Sequence, residues 1–375
     1  MRISPINLIK TSEITAKPKI NKAATKPCSV PVLPAVPAAL AIASFANRGI
    51  SDKDIEKKLL NLNYKKDEQG NLVKNFTKDD EIILSKKYGK YAQDYKTLLQ
   101  NPVTTSDIKS FKTFIDIDKK TGEKLYKNNF ENFFTIFCIL KNNNNLSSIK
   151  AKGPEMMKII SNVAENDKIN KDSLESLIIY KTDVYDGIGQ SIQSALNAEC
   201  DLNETIQNHI DNITSVIDKC DLPENLSLYR VERPRTNLRT AKQHGTDSVN
   251  LSQMVVNAAK SGDKNEIDKV KEFILDNEIT VTNPRFMSTS LNDNINETFN
   301  LFGKSTVKGT RILWRLKTEP QTKGIFIEAV NITGKDANQN EILLQKNSKM
   351  TITNVDYDEE NRMWIFDAKV SNRFL

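Results

Sequence analysis

The chain has 375 residues, 38% hydrophobic and 27% charged, with a net charge of +6; this length allows two domains or one large one, and the composition supports a packed core. The excess charge sits entirely in residues 1–50, where Arg2, Lys10, Lys17, Lys19, Lys22, Lys26 and Arg48 are opposed only by Glu13. The other residues hold 47 cations and 47 anions, which excludes a basic nucleic-acid-binding body.

Residues 1–28 show neither helical nor strand periodicity and read as a disordered secretion or targeting segment. Their charge suits either a solvated tail or attraction to anionic lipid or nucleic acid. The run SVPVLPAVPAALAIASFA (29–46) is uncharged but interrupted by Pro31, Pro34 and Pro37. It is short and broken for a transmembrane helix, and its polar lead is long for a secretory signal. It suits either peripheral membrane docking or chaperone binding, or an extended linker packed on the next domain.

Residues 51–174 read as a helical accessory domain. Ser51 is the expected N-cap of DKDIEKKLLNLNY, with Asp54 three residues on. KDDEIILSKKYGKYAQDYKTLLQ has apolar residues at helical spacing, and NNFENFFTIFCILKN is the most apolar helix-sized run, hence core. The tract KNNNNLSS (141–148) signals a loop between two helical groups. Helical spacing continues through SIQSALNAE and ETIQNHIDNITSVIDKC to a turn at Leu222-Pro223-Glu224-Asn225. After it come strand-like segments: LSLYRVE, TRILWRLKT, GIFIEAV, EILLQ, KMTITNV and MWIFDAKV. Helices followed by strands predict an α+β fold rather than a doubly wound sheet.

Much chemistry is excluded. Cys28, Cys138, Cys200 and Cys220 form no C-x-x-C pair and read as free thiols. His209 and His244 lie in no metal-ligand or Ser-His-Asp pattern, so no metal site is expected. Gly187-Ile188-Gly189 opens no dinucleotide loop, because Ile192 stands where the third glycine belongs and the segment reads as helix.

Four features in order carry the remaining signal: Tyr229-Arg230 ending a strand, Phe286-Met287-Ser288-Thr289-Ser290, Phe299 and Phe302 in a polar segment, and Gln339-Asn340-Glu341 opening EILL. With the flanking segments YDGIGQSIQSALN and KGIFIEAV, they resemble the bacterial mono-ADP-ribosyltransferase toxins and effectors over roughly residues 175–375, which would be the catalytic domain. The resemblance implies a mixed helix and antiparallel-sheet fold and NAD as co-substrate. It gives Glu341 the ribose 2′-hydroxyl and the positive charge that develops as nicotinamide leaves. Arg230, beside Tyr229, would grip the pyrophosphate. Ser288 would brace Glu341, Thr289 and Ser290 would support its strand, and Phe299 or Phe302 would stack on nicotinamide.

Gln339 bears on the acceptor. In an extended segment it would share a side with Glu341. The family pairs a Glu at this position with arginine acceptors, so Gln points to Asn, Gln or Thr. Two departures stand out: no aromatic precedes Gln339 in EAVNITGKDANQ, and Val231 follows Arg230 where the family often has Gly. The expected activity is ADP-ribosyl transfer to a host protein, with NAD glycohydrolysis or non-enzymatic binding of a host protein as alternatives. The polar start resembles that of type III secreted effectors, which implies delivery to the host cytoplasm, with host membranes as a candidate site and a secretion chaperone and a host activating protein as candidate partners.

Overall fold

A computed structural model describes residues 49–182, 187–198, 200, 202–234, 250–293 and 310–372. The 29–46 run, Phe299 and Phe302 lie outside the described residues.

The helical part opens with α1 (Asp52–Asn61), capped as its sequence requires: Asp54 N–H donates to Ser51 Oγ at 3.2 Å, and Ser51 N–H donates to the Asp54 carboxylate at 2.9 Å. A short antiparallel hairpin, β1 (Tyr64–Lys66) and β2 (Leu72–Lys74), interrupts what reads as helix in the sequence. There follow α2 (Lys78–Tyr88), α3 (Ala92–Gln100), α4 (Thr105–Ile115), α5 (Lys119–Asn128) and α6 (Phe130–Asn142). The apolar run in α6 is core: Phe111 of α4 lies 5.1 Å, ring to ring, from both Phe134 and Phe137. Next come α7 (Leu146–Lys152), α8 (Pro154–Ala164), α9 (Lys171–Thr182), α10 (Ile188–Leu196) and α11 (Glu204–Ile217).

The remainder holds β3 (Ser227–Glu232), α12 (Leu251–Ser261), α13 (Lys264–Asp276), β4 (Thr280–Asn283), β5 (Met287–Ser290), β6 (Arg311–Thr318), β7 (Gly324–Phe326), β8 (Glu341–Leu344), β9 (Ser348–Asp358) and β10 (Met363–Ser371). The sheet order is β4-β9-β10-β6-β3-β5-β8-β7. Its pairs are antiparallel except β10 with β6, so the fold is α+β with a mixed sheet. Two strand expectations are corrected. GIFIEAV is strand only over Gly324–Phe326 and then turns into a 3-10 segment, Ile327–Ala329, which carries Glu328 into full burial. The strand at 341 is preceded by a second 3-10 turn, Ala337–Gln339.

Residues 50–375 form one compact unit, which takes in both the helices before residue 175 and the strands after it. Polar contacts account for this. Asn143 and Asn145, in the tract read as a separator, donate from Nδ2 to the carbonyls of Asn331 and Ala337, each at 2.8 Å. Tyr95 of α3 reaches the Val330 carbonyl at 3.5 Å. The helices therefore hold the 329–340 loop that leads into β8. Cys138, Cys200 and Cys220 are free, and among the described residues no helix is long and apolar enough to cross a membrane.

Asn145 is buried, and removing its amide would strand the Ala337 carbonyl. Asn145→Ala should destabilise the fold by about 1–3 kcal/mol. Denaturant unfolding checks this; an unchanged midpoint would show that the contact contributes nothing.

Candidate active site

The sheet brings the expected segments side by side. β5 lies between β3 and β8, and one rung crosses all three strands, with Tyr229 opposite Ser290 and Ser290 opposite Glu341. Adjacent strands are about 4.8 Å apart, so Arg230 and Glu341 flank the Ser-Thr-Ser strand at a spacing within reach of one dinucleotide.

Arg230 is fixed from two sides. Its Nε donates to Glu232 at 3.1 Å and its Nη1 donates to the Ser288 carbonyl at 2.6 Å. Glu232 in turn accepts from the buried Trp314 indole at 2.9 Å. Among the described residues the guanidinium Nη2 has no partner, which fits it to receive an anion. Tyr229 is half-buried beside it.

β5 is stitched to the chain around β8 by its hydroxyls. Buried Thr289 donates to the Ile342 carbonyl at 2.8 Å, and Ser290 donates to the Gln339 carbonyl at 2.7 Å. Ser288 behaves differently from expectation. It stands opposite Leu343, two residues beyond Glu341, and its hydroxyl makes no hydrogen bond to Glu341. Register, set by the backbone ladder, puts Ser290 rather than Ser288 level with the carboxylate.

Lys181, at the end of α9, makes the contact instead. Its Nζ lies 2.9 Å from Glu341 Oε2 and 2.9 Å from Glu328 Oε1, with side-chain exposures of 3%, 4% and 0% for the three residues. Glu328 also accepts from Glu341 N–H at 3.4 Å, through Oε1, and from Asn331 Nδ2 at 2.9 Å, through Oε2. The end of α9 is clamped further: Tyr180 donates its hydroxyl to the Phe286 carbonyl at 2.9 Å, and Lys335 donates to the Thr182 carbonyl at 2.7 Å.

Burial pushes the Glu328 carboxyl up to about 7; the Lys181 charge and the Asn331 bond oppose the rise, and the Glu341 charge adds to it. Burial by itself would lower the Lys181 amine, but the charges of Glu341 and Glu328 outweigh it and the amine is raised.

The reasoning that set Gln339 beside Glu341 does not hold. Gln339 closes the 3-10 turn, and Asn340 is left-handed at φ 48, so the two-residue alternation of a strand does not run through them. Lys181, Glu328 and Asn331 are absent from the sequence-based set. The available signal was a single cation closing SLIIY and a single acid inside GIFIEAV, since charges set in apolar runs are buried only with partners.

Glu328 binds its proton more tightly folded than unfolded, where a glutamate titrates near about 4.3. Its contribution to stability is complete below that value and is lost as pH rises through about 7. Unfolding measured between pH 4.5 and 8 should show the parent losing stability relative to Glu328→Gln across this window. Parallel pH dependence of the two proteins would contradict it.

A family model described as ADP-ribosyltransferase exoenzyme matches residues 142–373, more than half of the chain and reaching back into α6. No curated protein sequence matches the chain. Among solved structures it is similar to C3stau2 from S. aureus, solved with NAD, at 18% identity over 58% of this chain and 94% of that one, with a TM-score of 0.40. The C3 exoenzyme of Clostridium limosum gives 20% identity over 60% and 94%, with a TM-score of 0.40. The C2-I component of the Clostridium botulinum C2 toxin gives 22% over 55% and 46%, with a TM-score of 0.36.

Proposed function

The chain belongs to the ADP-ribosyltransferase exoenzyme family, and from that premise we propose that it transfers ADP-ribose from NAD to an uncharged Asn, Gln or Thr side chain of a host protein, with release of nicotinamide. The observation that carries this reading is the order β3-β5-β8 in the sheet, with an anchored arginine on one side of the Ser-Thr-Ser strand and a buried carboxylate on the other.

Bound NAD supplies an ADP-ribosyl group on a good leaving group, nicotinamide. Arg230 holds the pyrophosphate through its open guanidinium edge. Glu341 accepts a hydrogen bond from the ribose 2′-hydroxyl and offsets the positive charge that grows as the glycosidic bond breaks, its electron pair leaving on nicotinamide. The acceptor oxygen or nitrogen then bonds to the same ribose carbon, and one proton is released. Thr289 and Ser290 keep the strand in register beneath this pair. Gln339 supports an uncharged acceptor through its chemistry: an amide has no charge to orient a guanidinium. Ser288, Phe299 and Phe302 remain part of this reading as contacts to the ribose floor and nicotinamide. Delivery to the host cytoplasm fits the basic, polar start of the chain.

Glu341→Gln should lower kcat for NAD cleavage by about 10²–10³-fold with little change in binding, whereas Arg230→Ala should raise KM for NAD. Both are read as nicotinamide release with host-cell extract present, alongside labelling of host protein from tagged NAD. Full cleavage by Glu341→Gln would remove that residue from the site, and free ADP-ribose with no labelled protein would replace transfer by NAD hydrolysis. Labelling found on arginine would overturn the reading of Gln339.

A further inference from the structure

We propose that Lys181 is a positioning residue for this reaction: its ammonium, anchored on Glu328, holds Glu341 through Oε2 and leaves Oε1 for the ribose. The inference rests on the reading of Glu341 as the ribose-binding carboxylate.

The geometry is that of a bracket. Lys181 bridges both carboxylates at 2.9 Å, and Glu328 also takes the backbone N–H of Glu341. Side chain and backbone of Glu341 are thus set by one cluster, drawn from the end of α9, the 3-10 segment after β7 and the start of β8. Among the described residues Glu341 Oε1 has no hydrogen-bond partner, so the oxygen not held by Lys181 is the one open to a ligand.

Charge explains why two carboxylates are present. Lys181 paired with Glu341 alone would be neutral, and a neutral pair offers little to a cation growing on the ribose. With Glu328 ionised, as it is above about pH 7, the cluster carries one net negative charge. The ammonium can then orient Glu341 without cancelling the cluster's attraction for that cation. Glu328 is accordingly part of the same device, anchoring Lys181 on the side away from the ribose-binding oxygen.

A purely structural ion cluster would have the same contacts, and a double variant separates the two roles. Lys181→Met leaves two facing carboxylates without a counter-charge; Lys181→Met with Glu328→Gln removes that strain and leaves Glu341 unbraced. Nicotinamide release from NAD and thermal melting are measured for both, with Glu341→Gln in parallel. The single variant should lose about 100-fold or more in kcat, the scale at which a reacting group's misplacement is felt, while KM for NAD moves less than about threefold. The double variant should melt above Lys181→Met, though below the parent because Glu341 stays unpaired, and should stay at least about tenfold down in kcat, because its net charge is the parent's and orientation is what it lacks.

A double variant with parental kcat overturns the positioning role, as does a loss confined to KM. If Lys181→Met fails to fold, the double variant alone decides between these outcomes. If Glu341→Gln keeps parental kcat, the reading of Glu341 fails and this proposal falls with it. An inactive Glu341→Gln beside a fully active double variant removes Lys181 and leaves Glu341 in place.

Discussion

One ammonium shared by two buried carboxylates is the constraint around which the catalytic half is arranged. Uncompensated, any of the three charges would be strongly destabilising at such depth, because the surrounding protein cannot replace the lost hydration. The cluster is tolerable only if Lys181, Glu328 and Glu341 arrive together. Their arrival fixes the end of α9 against the 3-10 segment after β7 and the first residue of β8. Asn331 completes it by donating to the second oxygen of Glu328. The Glu341 carboxylate is therefore placed by a polar network at the margin of the sheet, and the sheet itself supplies only its register.

The helices before residue 175 belong to this arrangement. Their phenylalanine core builds a rigid layer, and from it Asn143, Asn145 and Tyr95 reach the carbonyls of the 329–340 loop. The loop closes turns of its own, such as Gly334 N–H to the Asn331 carbonyl and Gln339 N–H to the Asp336 carbonyl, and the helices add bonds to the carbonyls of Val330, Asn331 and Ala337. The family match begins at residue 142, the last of α6, so α7 to α9 lie inside it and α1 to α5 before it.

On the opposite flank, Arg230 is held by a chain of contacts that runs through Glu232 to Trp314 in β6. An arginine with both Nε and Nη1 engaged has lost much of its rotamer freedom. The two sides of the site are preorganised by different means: Arg230 by neighbouring strands, Glu341 by a buried ion cluster.

Periodicity and turn chemistry made the fold class legible. Ser51 with Asp54, the apolar face of α6 and the alternation in β6, β9 and β10 are local properties, each decided within a few residues. Arg230, the Ser-Thr-Ser strand and Glu341 were legible as ordered motifs. Their mutual placement was not, because strand order and register depend on pairings between residues far apart in the chain. Local alternation misled at Gln339, where a left-handed Asn340 breaks the extended backbone, and at GIFIEAV, where the strand gives way to a 3-10 turn. Sequence by itself determined the helices-then-strands order, the candidate residues and their chemical types. Only the tertiary structure decided that Ser290 stands level with Glu341, that Lys181 and Glu328 enclose it, and that the asparagine tract holds its loop. Those outcomes follow from burial and from partners brought together across the chain, whose energies have no signature within a local window of residues.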